Sequence, residues 1–178
     1  MSDQAISISI ATIDDIAELA KLGAHTFTEA FEHMYAAEDL AAFLAAHHSE
    51  DAYRAVLTDP KMRVWIARTH DGQSAAFASA GPCKLPVPDM PPNAGELVRL
   101  YVLKRYQSAK LGSRLLEEAL DYLEAHFDDV YLSAYSENVA AQRLYGRYGF
   151  ERVHDYYFMV GNHADAEYVM QRTRQIRP

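Results

Sequence analysis

The order of sequence signals predicts a mixed β-sheet with helices on both faces, an α/β (α+β) single domain. Three observations carry this. Strand-like and helix-like segments alternate as strand, helices, hairpin, strand, helix, strand, helix and two closing strands. The 178 residues suit one domain, 1–178, able to bury roughly 70% of the surface that its unfolded chain exposes. No internal repeat and no low-complexity linker divides the chain.

Each element has its own signal. Ile6, Ile8 and Ile10 alternate with Ser7 and Ser9, the period of a half-buried strand. Thr12, with Asp15 three residues on, is a capping-box helix start. An Ala-rich helical stretch then runs to about residue 58, with breaks near Met34–Ala37 and His48–Ser49. MRVWIART and SAAFASAG read as two strands around the turn HDGQ, a hairpin. The segment from Pro82 to Pro92 holds five of the seven prolines, so it is neither helix nor central strand. A loop of that length in a compact domain is expected over a substrate entrance or at a subunit contact. The stretch after it reads as a strand from Glu96, and Leu111, Leu115, Leu116 and Leu120 then recur at helical spacing. DVYLSAY is a further strand, followed by a helix from about Asn138 to Tyr148. FERVHDYYFMV and AEYVMQRTR close the chain as two strands joined by GNHAD.

Composition narrows the function. Net charge is −8, with 25 acidic against 17 basic residues, which disfavours nucleic acid as a partner and mildly favours a cationic substrate. Cys83 is the only cysteine, in keeping with a reducing compartment. No apolar stretch approaches the ~18 residues that span a bilayer, and MSDQAISISI lacks the basic flank and apolar run of a signal peptide. These features point to a cytoplasmic protein with no membrane partner. His47 and His48 are adjacent and diverge on a helix, so no metal site is expected.

Between the strand at 96–102 and the following helix lies the short polar link QSAKLG. A strand that runs straight into a helix N-terminus presents free backbone N–H groups and the positive end of the helix dipole, an anion site suited to phosphate. Lys110 and Arg114 stand close by to add charge. The link matches neither the Walker pattern nor the G-x-G-x-x-G dinucleotide fingerprint.

A second stretch, NVAAQRLYGRYGF at 138–150, is specific. Asn138, Ala141, Tyr145, Gly149 and Phe150 match N-x-x-A-x-x-x-Y-x-x-x-G-F, and the chain here resembles the GNAT superfamily of N-acetyltransferases. Gln107 and Gly112 hold the ends of that superfamily's [QR]-x-x-G-x-[GA] acetyl-CoA segment, while its middle glycine is Lys110 and the residue after Gln107 is Ser108. A side chain at Lys110 is tolerated if its φ stays negative.

The resemblance implies a single GNAT domain whose mostly antiparallel sheet is splayed between its central parallel strands. It implies acetyl-CoA as co-substrate and no metal. The pyrophosphate would lie on Gln107, Ser108, Ala109, Lys110, Leu111, Gly112 and Ser113. Backbone groups of Leu100, Tyr101 and Val102 would meet the pantetheine arm and thioester, and Asn138 would contact the coenzyme while capping its helix. Tyr145 would meet the coenzyme sulfur, and Glu96 would act as general base through water, with Tyr135, Tyr101 or ordered water as the alternatives. Homodimers are common in the superfamily.

ELVRLYVL, together with Gly161 and Asp165 near the end of the chain, resembles the subgroup containing PaiA-type spermidine/spermine acetyltransferases. That likeness implies a primary amine acceptor, a polyamine among the choices. The alternatives are an acetyltransferase for protein N-termini or amino acids, or a non-catalytic acyl-CoA-binding regulatory module.

Overall fold

Thr12 starts the helical layer as its sequence predicts. Its N–H donates to Asp15 Oδ2 at 2.7 Å, and its Oγ1 accepts from the Asp14 N–H at 3.3 Å, closing a capping box. The structure, a computed structural model, describes residues 6–173; readings on residues 1–5 and on Arg174 lie outside the described residues. Helix α1 (Ile16–Phe31) follows, then α2 (Ala37–His47) and α3 (Glu50–Thr58). The breaks fall where the sequence places them. A 3-10 turn at Glu32–Met34 precedes α2, and Ser49 caps α3 by accepting from the Ala52 N–H at 3.2 Å.

Strands β1 (Ser7–Ile10), β2 (Arg63–Arg68), β3 (Ser74–Pro82), β4 (Ala94–Val102), β5 (Asp129–Tyr135), β6 (Glu151–Val160) and β7 (His163–Thr173) form one sheet. Its order is β1-β2-β3-β4-β5-β7-β6, and only β4 and β5 run parallel. Helices α1 and α3 cover one face, where Leu19, Leu22 and Tyr53 pack on Val64, Ile66 and Phe77. Helix α4 (Leu111–His126) covers the other. Ala76, Ala78 and Ala80 of β3 leave room there for its Leu111, Leu115, Leu116 and Leu120, all buried. Arg68 ties the helical layer to the sheet, reaching Asp15 Oδ1 and Glu18 Oε2 at 2.5 Å each.

The sheet splits at its centre. β4 pairs with β5 only from Ala94↔Asp129 to Leu97↔Leu132. Beyond that point β4 stays with β3 to Val102, and β5 stays with β7 to Tyr135. β4 bulges at the same place: Leu97 opposes Ala80 and Arg99 opposes Ser79, so Val98 has no partner. The extra residue resets which side chains face which way. Leu97, Leu100 and Val102 pack toward α4, whereas Tyr101 packs toward α1 and α3.

Three sequence readings need correction. Ile10 is 53% exposed, because β1 is a four-residue edge strand and only Ile6 and Ile8 reach the core. GNHAD is not a five-residue turn: Val160 pairs with His163, leaving Gly161 and Asn162 as the loop, with Gly161 at φ 56°. The third concerns the link before α4. Residues Lys104–Ala109 form a 3-10 segment, and Lys110 then takes φ 52°, ψ 19°, a left-handed conformation rather than the negative φ expected of a lysine. The turn from 3-10 segment to helix needs that geometry, and lysine supplies it at a cost.

Lys110→Gly should therefore stabilise the fold. It relieves about 1–2 kcal/mol of left-handed strain against about 0.5–1 kcal/mol of extra chain entropy, a net gain of about 0.5–1 kcal/mol read as a higher denaturant midpoint at unchanged slope. A lower midpoint would mean that the lysine side chain stabilises the fold by more than its strain costs.

Candidate active site

The slit between β4 and β5 opens into a cavity of ≈ 300 Å³ lined from both faces of the sheet. From the α4 side come Leu100, Ala134 and, from helix α5 (Val139–Arg147), Ala141 and Tyr145. From the other side come Phe27 and Phe31 of α1, Tyr35 between the helices, Phe43 and His47 of α2, His48 just after it, and Tyr156 and Phe158 of β6. The aromatic cover is continuous. Phe27 stacks on Phe43 with centroids 4.5 Å apart, and Phe43 meets Phe158 edge-on at 5.8 Å. Glu96, Asp165 and Glu167 give this space three carboxylates, with Arg99 on the same lining.

Tyr145 is buried at the α5 end of the slit, edge-on to Phe150 at 6.0 Å. The Gly149–Phe150 pair explains itself structurally. Gly149, at φ 82°, ends α5 in the left-handed conformation, and Phe150 turns back into the core beside Tyr145. Burial, with the nearby phenol of Tyr101 and charge of Glu167, pushes the Tyr145 phenol far up. It is a hydrogen-bond donor rather than an acid. Asn138 caps α5, its Oδ1 accepting from the Ala141 N–H at 3.1 Å, and also lines the cavity.

Where β4 ends, the first turn of α4, with Gly112 beside Val102 and Leu144 of α5, leaves the N–H groups of Leu111, Gly112 and Ser113 without partners inside the helix. Gln107 ties the link back to β4, its Nε2 donating to the Val102 carbonyl at 3.2 Å. Ser108 and Ala109 contribute the 3-10 backbone, their side chains lying outside the described residues. Arg114 is turned away, its guanidinium donating to the Ile6 carbonyl at 2.8 Å, so the sequence's second cation does not serve the link. Lys110 is exposed beside it. Leu100, Tyr101 and Val102 lie on the β4 edge that β5 has left. The unpaired edges, the amide-rich helix start and the cavity at Tyr145 together fit an elongated ligand with a phosphate end and a small acyl end.

The carboxylates are held differently. Glu96 is buried, and its Oε2 accepts from the Lys84 N–H of the proline-rich loop at 2.8 Å. Burial raises its pKa, while the Lys84 N–H and the Cys83 thiol lower it. Asp165 accepts from the Tyr35 hydroxyl, and its Oδ1 lies 3.0 Å from His163 Nε2 without a hydrogen bond among the described residues. Glu167 accepts from Ser133 Oγ at 2.6 Å, and Ser133 in turn accepts from the Tyr156 hydroxyl at 3.0 Å. Burial, opposed by that Ser133 bond and reinforced by Asp165, pushes the Glu167 carboxyl up to about 7. Burial drives His48 down to about 3, leaving a neutral imidazole whose Nδ1 lies 3.0 Å from the Tyr53 hydroxyl.

The site thus unites Glu96, Leu100, Tyr101, Asn138 and Tyr145, all named from sequence. Sequence reasoning missed Glu167, took Asp165 for a turn residue and found none of the aromatic cover. Asp165 and Glu167 alternate with Ala164, Ala166 and Tyr168; an acidic pair two residues apart at the start of a strand was the available signal.

The family model described as the acetyltransferase (GNAT) family matches residues 24–150. An uncharacterized N-acetyltransferase of Mycobacterium tuberculosis is 32% identical over 162 residues, covering 89% of this chain and 97% of that one. One of Lactobacillus delbrueckii subsp. lactis is 23% identical over 159 residues, covering 89% and 91%. Among solved structures, the PaiA N-acetyltransferase of Thermoplasma acidophilum in complex with coenzyme A superposes with a TM-score of 0.74 at 18% identity, covering 96% of this chain and 99% of that one. Arabidopsis thaliana NAA60 in complex with a bisubstrate analogue gives 0.71 at 15% identity, covering 96% and 100%. With the family pattern spread from α1 to Phe150, and a relative of nearly equal length sharing about a third of its residues, this chain belongs to the acetyltransferase (GNAT) family.

Proposed function

We propose that the protein transfers an acetyl group from acetyl-CoA to a primary amine by direct attack within a ternary complex. The single observation that carries this reading is the slit: past Leu97 the two strands part, the cavity there holds a buried tyrosine and three carboxylates, and β4 runs on through Val102 to the amide-rich start of α4. When bound, acetyl-CoA supplies an activated acyl carbonyl on a thiol leaving group. The N–H groups of Leu111, Gly112 and Ser113, with the backbone of Gln107, Ser108, Ala109 and Lys110, hold its pyrophosphate. The freed edge of β4 at Leu100, Tyr101 and Val102 receives the pantetheine arm. Asn138 lies beside it.

Tyr145 donates a hydrogen bond that strengthens as negative charge builds on sulfur. A phenol pushed above its usual value does not give up its proton fully, so the bond stays a bond. An alkylamine with pKa near ~10.4 is protonated at pH 7, and freeing it costs about 4–5 kcal/mol. A carboxylate of the cavity takes that proton: Glu96, at the position the family resemblance implies, or Glu167.

The acceptor enters from the aromatic side. Three carboxylates beneath aromatic rings suit an amine that is cationic outside and has an apolar body. A polyamine satisfies this, as the likeness to PaiA-type enzymes implies, and so does an amino acid amide or a peptide N-terminus. Leu85 of the proline-rich loop lines this side, while Cys83, Val87 and Met90 anchor the loop on Tyr131 and Val169. Coenzyme A release, measured over polyamines, amino acids and N-terminal peptides, separates these acceptors and distinguishes an enzyme from a silent acyl-CoA-binding module.

Three outcomes are expected. Coenzyme A at 100 times its Kd should stabilise the protein by about 2.7 kcal/mol, seen as a raised Tm; no shift at millimolar coenzyme A removes the reading. Tyr145→Phe should lower kcat by about 10²-fold with little change in acetyl-CoA KM. An unchanged kcat under conditions where chemistry limits the rate takes Tyr145 out of the mechanism. Leu85→Ala should raise the amine KM and leave the acetyl-CoA KM alone; the opposite pattern would put the loop on the coenzyme side.

A further inference from the structure

The two carboxylates that could free the amine occupy different parts of the slit. Glu96 pairs in register with Tyr131, inside the stretch where β4 and β5 are still hydrogen-bonded. Glu167 pairs with Tyr135 on β5 and with Tyr156 on β6. Tyr135 lies four residues beyond Tyr131, roughly 13 Å of strand further on, where the slit is open. Their contacts differ in the same sense. Glu96 holds the proline-rich loop through the Lys84 N–H and the Cys83 thiol. Glu167 takes a hydrogen bond from the described residues on Oε2 only, from Ser133. Its charge is felt by the phenols of Tyr145 and Tyr101, which line the open part of the slit, as well as by Tyr156, whereas the charge of Glu96 reaches Tyr156 and Cys83.

We infer that Glu167 is the general base that takes the proton from the acceptor ammonium, with Ser133 and Tyr156 setting its charge, while Glu96 positions the acceptor-side loop. This rests on the acetyltransferase reading above. One ammonium proton passes to a Glu167 carboxylate oxygen, leaving a neutral amine whose lone pair forms the new C–N bond to the acetyl carbon. The C–S bond breaks, its electron pair stays on sulfur, and the second amine proton ends on that sulfur as the Tyr145 hydrogen bond relaxes. Glu167 returns its proton to solvent.

A base that works at neutral pH needs a pKa near neutrality, and the Glu167 carboxyl is pushed up to about 7. The groups around it come from every neighbouring element. Asp165 shares its strand, Ser133 and Tyr135 face it from β5, and Tyr156 from β6. Glu96, Arg99 and Tyr101 stand on β4, Tyr145 on α5, Tyr35 in the α1–α2 connection, His47 at the end of α2 and His48 at its C-cap. Of these, burial and Asp165 raise the Glu167 carboxyl, and only the Ser133 hydroxyl lowers it.

The pH dependence of kcat/KM tests this, using whichever of spermidine, phenethylamine and a dipeptide is turned over fastest. The wild type should rise with pH, bend near 7 and then run flat, because above the bend the enzyme itself deprotonates the ammonium. Glu167→Gln should lose about 10²-fold or more at pH 7 and climb with unit slope through the former bend, converging on the wild type toward the amine pKa. Glu96→Gln should keep the bend. Ser133→Ala removes the hydrogen bond that favours the charged carboxylate, so the bend should move to higher pH, a readout that survives if Glu167→Gln does not fold. Each variant is checked for the Tm shift with coenzyme A.

A bend that persists in Glu167→Gln but vanishes in Glu96→Gln overturns the inference, as does a bend unmoved in Ser133→Ala. In either case an active wild type leaves the acetyltransferase reading standing. That reading fails separately if the wild type neither responds to coenzyme A nor acetylates any of the three amines.

Discussion

A parallel pair of strands that stops pairing after four residues governs the rest of this molecule. From Ala94 to Leu97, β4 and β5 are held together; past Val98, each keeps its outer neighbour and loses the other. Backbone N–H and C=O groups are not left idle in a fold interior without consequence, so the two facing edges amount to a vacant ladder. The bulge at Val98 makes this tolerable. By inserting one unpaired residue it bends β4 away and swaps the facing of every later side chain, which sends Leu100 and Val102 into the α4 core and Tyr101 to the opposite side. A regular strand through the same sequence would point Tyr101 into the leucines of α4.

The cavity on the far side is an expensive environment for charge, and the number of donors each carboxylate keeps sets its behaviour. Burying an ionised carboxylate is costly unless donors replace its water. Glu96 has a backbone N–H and a thiol. Asp165 has the Tyr35 hydroxyl and the nearby His163 ring. Glu167 has one hydroxyl, and an acidic neighbour two residues away. With one donor against the two of Glu96, and a like charge two residues away, its carboxyl is pushed up to about 7. The aromatic cover from α1 and α2 matters here, because rings that exclude water and donate nothing keep that balance tilted.

Much of this architecture was legible because apolar spacing decides it. The helices of the first third, their breaks at 34–37 and 48–49, the hairpin and the DVYLSAY strand all follow from periodicity and caps that tertiary contacts do not override. Legibility failed where the inside of the protein is polar. Asp165 and Glu167 both face inward on β7; Asp165 reads as part of the GNHAD turn, and Glu167 reads as an ordinary residue of the closing strand, because an inward acidic side chain carries no apolar signal. Ile10 failed for the converse reason, an apolar residue at the end of an edge strand with nothing left to cover it. The aromatic cover was hidden because Phe27, Phe43 and Phe158 come from three distant elements, and no local pattern joins them. Gln107, Gly112, Asn138 and Tyr145 were found by motif; Asn138 and Tyr145 line the cavity, and Gln107 and Gly112 lie against Val102 at the end of β4.

Lys110 shows what a motif glycine specifies. The family pattern has glycine there, and lysine at that position suggests from sequence alone that the loop runs differently. The backbone instead adopts φ 52°, as a glycine would. The demand comes from what flanks it: Gln107 holds the 3-10 segment to Val102 on one side, and Leu111 is fully buried at the first position of α4 on the other. Between those fixed points, the left-handed turn at Lys110 carries the chain from the 3-10 segment into α4. The substitution therefore leaves the geometry in place and moves its cost into strain. It also puts an ammonium beside the helix start, where a phosphate would gain from it.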